Sequence, residues 1–399
     1  MQKKRILFVA EAVTLAHVAR PMVLAQALDP THYDVYFACD PRFNDLFSDA
    51  APPQRDIHSI SCQRFMHALA QGKPLYDAAT LSEYVTEDLE LLNQISPDLV
   101  VGDFRLSLAI SAPLTATPYA TISNAYWSPY ATRRFPVPEL PLTRALGVGA
   151  AQALFTATRA AAFALHTIPL NKVRRAHGLP SLGWNLPRLY TWADYTLYAD
   201  VPELIQTRDL PQTHQYLGPI LWSPDIATPQ WWSELPVDRP VIYVTLGSSG
   251  RSDLLPAIVE ALARMPVTAI LATAGRFEFE RVPDNIFVAP YLPGDQSVKR
   301  AKLVICNGGS PTTQQALTHG VPVLGVPSNL DQHLNMEAIQ DYGAGRLLRS
   351  EHTTSSAVYG LASDLLAQES YATAAARLAQ TFSRYNAPEH FARFVARIL

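Results

Sequence analysis

The chain has 399 residues, a length that predicts two domains. Hydrophobic residues make up 48 % of it, enough for two large cores, and charged residues make up only 17 %. The formal net charge of −3 argues against a polyanion-binding surface, and so against nucleic acid as the main partner. The three cysteines, Cys39, Cys62 and Cys306, are too scattered for a disulfide framework or a metal site, and they fit a reducing compartment.

The start of the chain carries a basic group followed by an apolar run, as a signal peptide does, but the run stops at Glu11 without a clear cleavage site. We interpret Arg5–Ala10 as a buried first strand. The weakly charged stretch Ala145–Ile168 contains Arg159, which is poor for a membrane span and predicts an alanine-rich buried helix. We therefore expect a cytoplasmic protein without a transmembrane segment, and the sequence leaves peripheral membrane contact open.

Short β-rich apolar runs alternate with helical patterns along the chain, which is typical of parallel α/β sheets. In the first half a helical pattern from Val18 to Leu28 follows the opening strand, and further strands are predicted at Val35–Ala38, Leu99–Val101 and Tyr119–Ile122. The second half repeats this order, with a strand at Pro240–Leu246 and a helix at Asp253–Met265. Its later strands are predicted at Ala269–Thr273, Ile286–Ala289, Leu303–Cys306 and Val323–Val326.

A proline- and tryptophan-rich segment, Leu217–Pro240, separates the two halves and predicts an interdomain linker, because proline prevents regular structure. We predict an N-terminal domain at residues 1–216, a linker at 217–239 and a C-terminal domain at 240–383. A last helix within residues 384–399 could pack back on the N-terminal domain. The expected fold class is α/β, with two doubly wound, Rossmann-like domains facing each other across a cleft and ligands beyond the carboxyl ends of the strands.

A glycine-containing turn after the strand Leu303–Cys306 is the strongest candidate site. Asn307–Gly309 breaks the strand, Ser310 suits a helix N-cap and Pro311 suits the first helical position. A helix start offers unpaired N–H donors and a partial positive charge, and Thr312 adds a hydroxyl donor. The pattern predicts a diphosphate cradle, although an ordinary strand-to-helix turn explains it about equally well by itself.

Residues 307–335 resemble the donor-binding signature of the UDP-glycosyltransferase superfamily, which runs His-Gly-Gly-x-Gly-Thr, Glu-Ala-Leu, Gly-Val-Pro, Pro, Asp-Gln and Asn. Upstream, Tyr291-Leu292-Pro293-Gly294 is similar to the family's Trp-x-Pro-Gln segment. The resemblance implies the GT-B fold and transfer of a sugar from a UDP- or dTDP-sugar to a hydroxyl of a small apolar or aromatic acceptor, with inversion. It also implies that the domain at 1–216 binds the acceptor and the domain at 240–383 binds the nucleotide sugar. It also implies no cofactor and no metal ion, and the chain has no Asp-x-Asp motif to hold one.

The resemblance implies a role for each matching residue. Tyr291 would stack on the nucleobase, and Leu292 would offer its backbone to the base edge. The other matches are assigned to the phosphates (Ser248, Asn307, Gly308, Gly309, Ser310 and Thr312), to the ribose (Gln315) and to the sugar hydroxyls (Asp331 and Gln332). Three departures from the family pattern leave the donor's identity and the catalytic strength open: Asn307 for His, Pro311 for Gly and Gln315 for Glu.

The candidate base is His17, which the pattern places between the first strand and the first helix. Its surroundings resemble the family's Gly-His-x-x-Pro segment, with Ala16 for Gly and Pro21 one residue late. Asp103 ends another strand on the same side, where the family has an aspartate that binds the catalytic histidine. A lone histidine is more often structural, and Asp103 could be a helix cap, but together they predict that His17 deprotonates the acceptor while Asp103 fixes its tautomer.

Tyr126 and Trp127 lie in an aromatic run that suits stacking on an apolar or ring-shaped acceptor, although core packing explains the run equally well. Two other functions stay open. A non-hydrolysing nucleotide-sugar epimerase is disfavoured by the long donor signature, and a nucleotide-sugar-binding auxiliary protein would be compatible with Asn307 and Gln315. The sequence does not determine the sugar, the acceptor or the oligomeric state.

Overall fold

The computed structural model describes residues 3–47 and 52–399, so Met1 and Gln2 of the opening segment lie outside the described residues. The chain divides into two compact units. The N-terminal unit comprises the chain up to Arg133, Ala150–Trp222 and Tyr385–Leu399. The C-terminal unit comprises Arg134–Gly149 and Ser223–Arg384, so residues 134–149 belong to it although they fall within the range predicted for the first domain.

The N-terminal unit is built on a parallel sheet flanked by helices. Within the described residues its strands are β1 (Lys4–Ala10), β2 (Tyr33–Cys39), β3 (Gln54–Asp56), β4 (Leu99–Asp103), β5 (Tyr119–Ser123), β6 (Tyr195–Tyr198) and β7 (His214–Tyr216). They pair in the order β3-β2-β1-β4-β5-β6-β7. The helices are α1 (Leu15–Gln26), α2 (Cys62–Gln71), α3 (Ala78–Ile95), α4 (Leu108–Leu114), α5 (Pro141–Ala176, in this unit from Ala150), α6 (Leu186–Tyr190) and, from the chain's end, α13 (Ala387–Ile398).

The C-terminal unit repeats this architecture. Its described strands are β8 (Val241–Thr245), β9 (Thr268–Ala272), β10 (Ile286–Ala289), β11 (Ala301–Cys306), β12 (Val323–Gly325) and β13 (Gly345–Leu347), all parallel and in the order β10-β9-β8-β11-β12-β13. The helices are α7 (Leu255–Ala263), α8 (Gly294–Arg300), α9 (Ser310–Thr318), α10 (Leu330–Tyr342), α11 (Ser355–Ala367) and α12 (Glu369–Phe382). All nine strands predicted from the sequence are confirmed, within two residues at each end.

The strand order reverses once in each sheet. In the N-terminal unit the chain runs outward from β1 to β3 and then returns to the other side of β1 with β4. In the C-terminal unit it runs from β8 to β10 and returns beside β8 with β11. Loops at the carboxyl ends of these central strands splay in opposite directions and leave a crevice, so ligands of parallel α/β sheets bind there. Both predicted sites lie at such a reversal.

The last helix is part of the N-terminal unit. In α13 the side chains of Phe391 and Phe394 are buried in the core that contains β1, and the Phe391 ring lies 5.7 Å from that of Phe8. The His390 Nδ1 atom is 3.0 Å from the Leu217 carbonyl oxygen. These contacts fix the chain's end on the sheet of the N-terminal unit through apolar burial.

The stretch Ala145–Ile168 is helical, but the prediction that this helix is buried is wrong. It lies in α5, which bends at Gly147 (φ 73°, ψ 161°). Among the described residues α5 is the one helix long and apolar enough to cross a membrane by length and composition, and only 17 % of its most apolar 18-residue window is buried. A low charge content predicts burial only if the fold covers the helix on every face, and here it does not.

Candidate active site

The candidate base and its orienting carboxylate are in contact at the reversal between β1 and β4. His17 lies in the first turn of α1, not before the helix as predicted, because the helix begins at Leu15. Its Nδ1 atom is 2.7 Å from Oδ1 of Asp103, the last residue of β4. Since a carboxylate only accepts, Nδ1–H donates to it and the Nε2 lone pair stays available. Asp103 is fully buried, whereas 20 % of the His17 side chain is exposed, so the imidazole is open to a small molecule.

Arg20, to which the sequence assigned no role, holds the same carboxylate. Its Nε donates to Asp103 Oδ2 at 2.9 Å and its Nη2 donates to Oδ1 at 2.8 Å. This is the bidentate geometry typical of strong arginine–carboxylate pairs. Its Nη1 donates to Asn124 Oδ1 at 2.7 Å. Arg20 follows His17 by three residues in α1, a spacing that places both side chains on the same face of the helix. This spacing was the only sign of its role in the sequence. The buried charge of Asp103 is thereby compensated by a cation that is itself buried.

The network continues along the carboxyl edge of the sheet. Asn124 follows β5, and its Nδ2 donates to Asp200 Oδ2 at 3.2 Å; Asp200 follows β6. The same Asp200 oxygen accepts the Ala125 backbone N–H at 2.6 Å. Asp103, Asn124 and Asp200 are all less than a tenth exposed. Polar groups from three neighbouring strand ends, together with Arg20 of α1, thus fix the position of the carboxylate that holds His17.

An aromatic surface adjoins the candidate base. Phe104 directly follows Asp103 and adopts φ 59°, a left-handed conformation that is costly for a bulky side chain and that clusters at functional sites. Its ring lies flat against the His17 imidazole, with 4.9 Å between centroids and 13° between planes. The Tyr190 ring contacts both Phe104, at 5.4 Å, and Trp127, at 5.2 Å. These three half-buried aromatic residues, Phe104, Trp127 and Tyr190, form what we call the aromatic shelf.

Tyr126 differs from its predicted role. It lies in a short 3₁₀ turn after β5 and is only 1 % exposed, because this turn directs its side chain into the interior. It offers no surface to an acceptor in this structure, so the core-packing interpretation holds for Tyr126. Trp127, one residue later, is half-buried and stays a candidate acceptor contact through the aromatic shelf.

A buried ionic cluster lies next to the His17–Asp103 pair. The Arg105 guanidinium contacts Glu11 at 3.2 Å, Asp88 at 3.0 Å and Glu87 at 3.0 Å, and it covers the Tyr84 ring at 3.7 Å. Burial raises the pKa of Glu11 to about 7 and also raises the pKa of Asp88, although the guanidinium opposes both shifts. The Glu11 backbone N–H donates to the Asp103 carbonyl at 3.1 Å. The cluster therefore joins the ends of β1 and β4, and β4 carries Asp103.

In the C-terminal unit the predicted diphosphate cradle lies at the reversal between β8 and β11. The helix α9 begins at Ser310, so its N-cap is Gly309 and not Ser310 as predicted. Asn307 Oδ1 accepts the Gly309 N–H at 3.1 Å and so holds the residue that precedes the helix. Gly308 has φ 81°, a conformation that favours glycine. Thr312, in the first turn of α9, is half-buried.

Asn307 joins the two turns that flank the reversal. Its Nδ2 donates to Ser249 Oγ at 3.0 Å, in the turn after β8 that also contains the exposed Ser248. Arg276, which the sequence analysis missed, closes that turn: its Nη1 donates to the carbonyls of Ser248 at 2.9 Å and Gly250 at 2.8 Å. The Arg276 guanidinium thus lies beside the Ser248 turn, to which Asn307 is hydrogen-bonded. Asn307 occupies the position where the family has a histidine.

The start of α10 lies at the end of the neighbouring strand β12. Asp331 is half-exposed in its first turn, whereas Gln332 is buried and its Oε1 accepts from the Ser328 N–H at 2.9 Å. Deeper in α10, Asn335 is fully buried and donates to the Gly308 carbonyl at 2.8 Å and to Thr313 Oγ1 at 2.9 Å. Asp331 is therefore better placed than Gln332 to meet a ligand with its side chain.

The predicted nucleobase segment follows β10. The Tyr291 side chain is 55 % exposed, which leaves its ring free for stacking, and Leu292 is buried. A Cβ atom on Gly294 would lie 2.8 Å from Gln315 Oε1, so the Gln315 amide packs directly against the start of α8. The structure thus brings the predicted ribose residue next to the predicted base segment, as a nucleoside-binding edge requires.

Comparisons with known proteins identify the family of the chain. Residues 252–396 match the family described as Erythromycin biosynthesis protein CIII-like, C-terminal domain. The chain is 54 % identical over 381 residues to a PGL/p-HBAD biosynthesis glycosyltransferase of Mycobacterium tuberculosis, covering 96 % of this chain and 89 % of that protein. It is 56 % identical over 383 residues to a PGL/p-HBAD biosynthesis rhamnosyltransferase of Mycobacterium bovis, covering 96 % and 85 %.

Among solved structures, the spinosyn rhamnosyltransferase SpnG complexed with thymidine diphosphate superposes with a TM-score of 0.70 at 20 % sequence identity, covering 98 % of this chain and 100 % of that one. At this identity the similarity concerns the fold, two parallel-sheet α/β domains of the GT-B class. The two relatives named above are transferases, which favours neither the epimerase nor the auxiliary-protein interpretation. The chain belongs to the UDP-glycosyltransferase superfamily and is a glycosyltransferase, which transfers a glycosyl group from a nucleotide sugar to an acceptor.

Proposed function

We propose that this enzyme transfers a sugar from a nucleoside diphosphate to an acceptor hydroxyl with inversion at the anomeric carbon, and that His17 is the general base. The 2.7 Å contact between His17 and the buried Asp103 carries the proposal, because it leaves Nε2 as a proton acceptor and stabilises the imidazolium that forms. The His17 Nε2 atom takes the acceptor's hydroxyl proton. The acceptor oxygen bonds to the anomeric carbon, and the bond from that carbon to the diphosphate breaks.

The leaving diphosphate carries the developing negative charge. We assign it to the first N–H groups of α9, the Ser248 turn and Ser310, with Thr312 as a hydroxyl donor. Arg276 lies against this turn and adds a positive potential. Preorganised dipoles and a fixed cation stabilise such charge without rearranging during the reaction. The second Nδ2 hydrogen of Asn307 is a further candidate contact.

We propose a thymidine diphosphate 6-deoxyhexose as the donor. The relative named as a rhamnosyltransferase shares 56 % identity with the chain, and rhamnose is a 6-deoxyhexose. Gln315 supports thymidine diphosphate over UDP as the nucleotide. A ribose has two free hydroxyls that donate to the family's glutamate, whereas a deoxyribose has only one, and a neutral amide is sufficient to accept from it. Tyr291 would stack on the thymine, and Asp331 would accept from the sugar hydroxyls, with Gln332 shaping the loop.

We propose that the acceptor is an apolar or aromatic molecule with a free hydroxyl. The aromatic shelf supports this class, because its three rings continue from the face of His17 and give large contact area at low entropy cost. The three free thiols, Cys39, Cys62 and Cys306, support a reducing compartment, the cytoplasm, as the enzyme's location.

Two measurements test the proposal. Thermal unfolding with thymidine diphosphate and with UDP, each at saturating concentration, should give a larger rise in Tm for the thymidine nucleotide, since ligand binding stabilises by mass action. A larger rise with UDP would contradict the assignment of the donor.

The second measurement uses His17→Ala, with His32→Ala as the matched control because His32 is exposed and its Nδ1 contacts only side chains within three residues of it, Asp29 and Thr31. Glycosyl transfer to a panel of phenolic and aliphatic alcohols should fall by about 10²–10⁴-fold in kcat for His17→Ala and stay unchanged for the control. Nuclear magnetic resonance of the product should show the anomeric configuration opposite to the donor's. Unchanged turnover in His17→Ala, or retention of configuration, would remove His17 as the base of an inverting reaction.

A further inference from the structure

The exposed face of α5 is apolar along most of its length. After the bend at Gly147, residues spaced by three or four form one continuous stripe, and the structure leaves every one of them exposed: Ala150, Leu154, Ala157, Ala161, Leu165, Ile168, Lys172 and Arg175. Leu165 is 59 % exposed, Leu154 42 % and Ile168 41 %. The apolar part spans about 27 Å of helix, at ~1.5 Å per residue. We call these eight residues the α5 stripe.

Other positions of this helix pack against the protein. Ala151, Phe155, Leu170 and Val173 are buried, and the last two belong to the apolar cluster that also contains Tyr84. A helix anchored in this way on its own domain is normally polar on its outer face. The α5 stripe breaks that rule, and the buried positions and half-buried Arg159 exclude a helix that crosses a bilayer. The geometry instead suits a helix that lies on a surface.

The charged residues of the chain segment that contains the stripe have one sign. No aspartate or glutamate occurs between Glu139 and Asp194, whereas this segment contains six arginine and lysine residues: Arg144, Arg159, Lys172, Arg174, Arg175 and Arg188. The whole chain has 35 acidic and 32 basic residues, so the asymmetry is local. Lys172 and Arg175 end the stripe itself, and Trp184, exposed by 57 %, follows in the same segment. Leucine, tryptophan and basic residues together are the composition of helices that bind anionic bilayers.

A second copy of the chain fits the stripe less well. The apolar length of about 27 Å and a helix width of about 10 Å give roughly 270 Å², whereas a stable dimer buries about 800 Å² on each partner. Lys172 and Arg175 would also find no acidic residue on the stripe of a second copy. A bilayer with anionic headgroups fits the small apolar area of the stripe, and its headgroups attract Lys172 and Arg175.

We propose that the α5 stripe docks this glycosyltransferase on the surface of an anionic lipid bilayer. Leu154, Leu165 and Ile168 enter the boundary between headgroups and acyl chains, while Lys172 and Arg175 contact the headgroup phosphates. The inference goes beyond the proposed reaction and does not depend on His17 or on the donor site. It gives the enzyme direct access to hydroxylated acceptors that partition into membranes.

Vesicle co-sedimentation of the full chain tests the docking. The probes are vesicles of phosphatidylcholine alone and of phosphatidylcholine with a third phosphatidylglycerol, at low and at high salt. We expect binding to the anionic vesicles, weakened by salt. A Lys172→Gln/Arg175→Gln double variant should bind about 25-fold more weakly, at roughly fivefold per lost cation. The matched control is Lys302→Gln/Arg377→Gln, which removes two exposed cations outside α5 and should bind as the wild type does.

The apolar residues are tested in the same way. A Leu154→Gln/Leu165→Gln/Ile168→Gln variant should lose at least about tenfold in vesicle affinity. The control, Leu221→Gln/Val237→Gln/Val282→Gln, exchanges three exposed apolar residues outside α5 and should keep its affinity. Circular dichroism and Tm should stay unchanged in all four variants, since the altered side chains are exposed.

Three outcomes would overturn the proposal. The wild type could fail to bind anionic vesicles, or the α5 variants could bind as well as their controls. Sedimentation velocity could also show that the wild type is a dimer which the leucine and isoleucine substitutions dissociate, and the stripe would then be a self-association surface. Glycosyl transfer to a water-soluble acceptor should be equal in wild type and α5 variants, so failure of the docking is distinguishable from failure of the reaction.

Discussion

Replacement of Arg20 by glutamine removes the cation that neutralises Asp103. Arg20 donates two hydrogen bonds to the Asp103 carboxylate and one to Asn124, and all three side chains are buried. Removing one partner of a buried ion pair costs about 3–5 kcal/mol, because the remaining charge stays uncompensated. His17 still donates to Asp103 in the variant, so we expect the lower end, about 3 kcal/mol. For a domain of this size that lowers Tm by roughly 6–12 °C.

The same substitution should slow the reaction. With Arg20 absent, the Asp103 carboxylate loses two of its fixed contacts and positions the imidazole less well. We expect kcat to fall by about 10- to 100-fold below the melting range, while KM for the donor stays unchanged. Urea unfolding and initial-rate kinetics at 20 °C measure the two effects. The matched control is Arg188→Gln, which alters an exposed arginine and should change stability by less than about 0.5 kcal/mol.

A second substitution separates the charge effect from the loss of packing. In the Arg20→Gln background, Asp103→Asn removes the uncompensated carboxylate, so stability should recover by about 2 kcal/mol while activity stays low. The double-mutant cycle would then report a favourable coupling between Arg20 and Asp103. A cost of less than about 1 kcal/mol for Arg20→Gln, with wild-type kcat, would refute the role assigned to the guanidinium.

Three other predictions concern the buried cluster and the donor site. Burial raises the pKa of Glu11 to about 7, so the folded chain keeps a proton that the unfolded chain loses near its ordinary value of 4.5; stability should fall by up to about 3 kcal/mol between pH 5 and pH 7. Urea unfolding should show a smaller fall in Glu11→Gln, and an equal fall would contradict this. Gly308→Ala places a Cβ 2.6 Å from Met336 Cγ at φ 81°, so it should lose about 1–3 kcal/mol and most donor affinity, while the control Gly360→Ala, in open space, should not. Calorimetry of Gln315→Glu should show UDP affinity raised by about 3- to 10-fold relative to thymidine diphosphate; no relative gain would argue against Gln315 as the ribose residue.

Local patterns were sufficient to predict the fold. Each strand is a short run of β-branched and apolar residues because both faces of a parallel sheet are covered, so its signal is contained within a few neighbouring positions. The turn at Asn307–Gly309 and the helix after it follow from glycine and proline in the same local way. His17 and Asp103 could be paired because each stands at a strand end, and strand ends of a parallel sheet meet at one edge. The resemblance to the family signature then assigned roles to residues that the strand and turn pattern had already located.

Only the tertiary structure determined the contacts between distant segments and the burial of individual side chains. Arg20 and Asn124 are 104 positions apart, and Arg276 reaches the turn at Ser248 from the loop after another strand; only the folded sheet brings these groups together. Tyr126 and α5 show the same limit for burial, since an aromatic turn was buried and an apolar helix was left exposed. The sequence by itself determined which segments form strands and helices, because that depends on near neighbours. Exposure depends on which faces distant segments cover, and only the complete packing determines that.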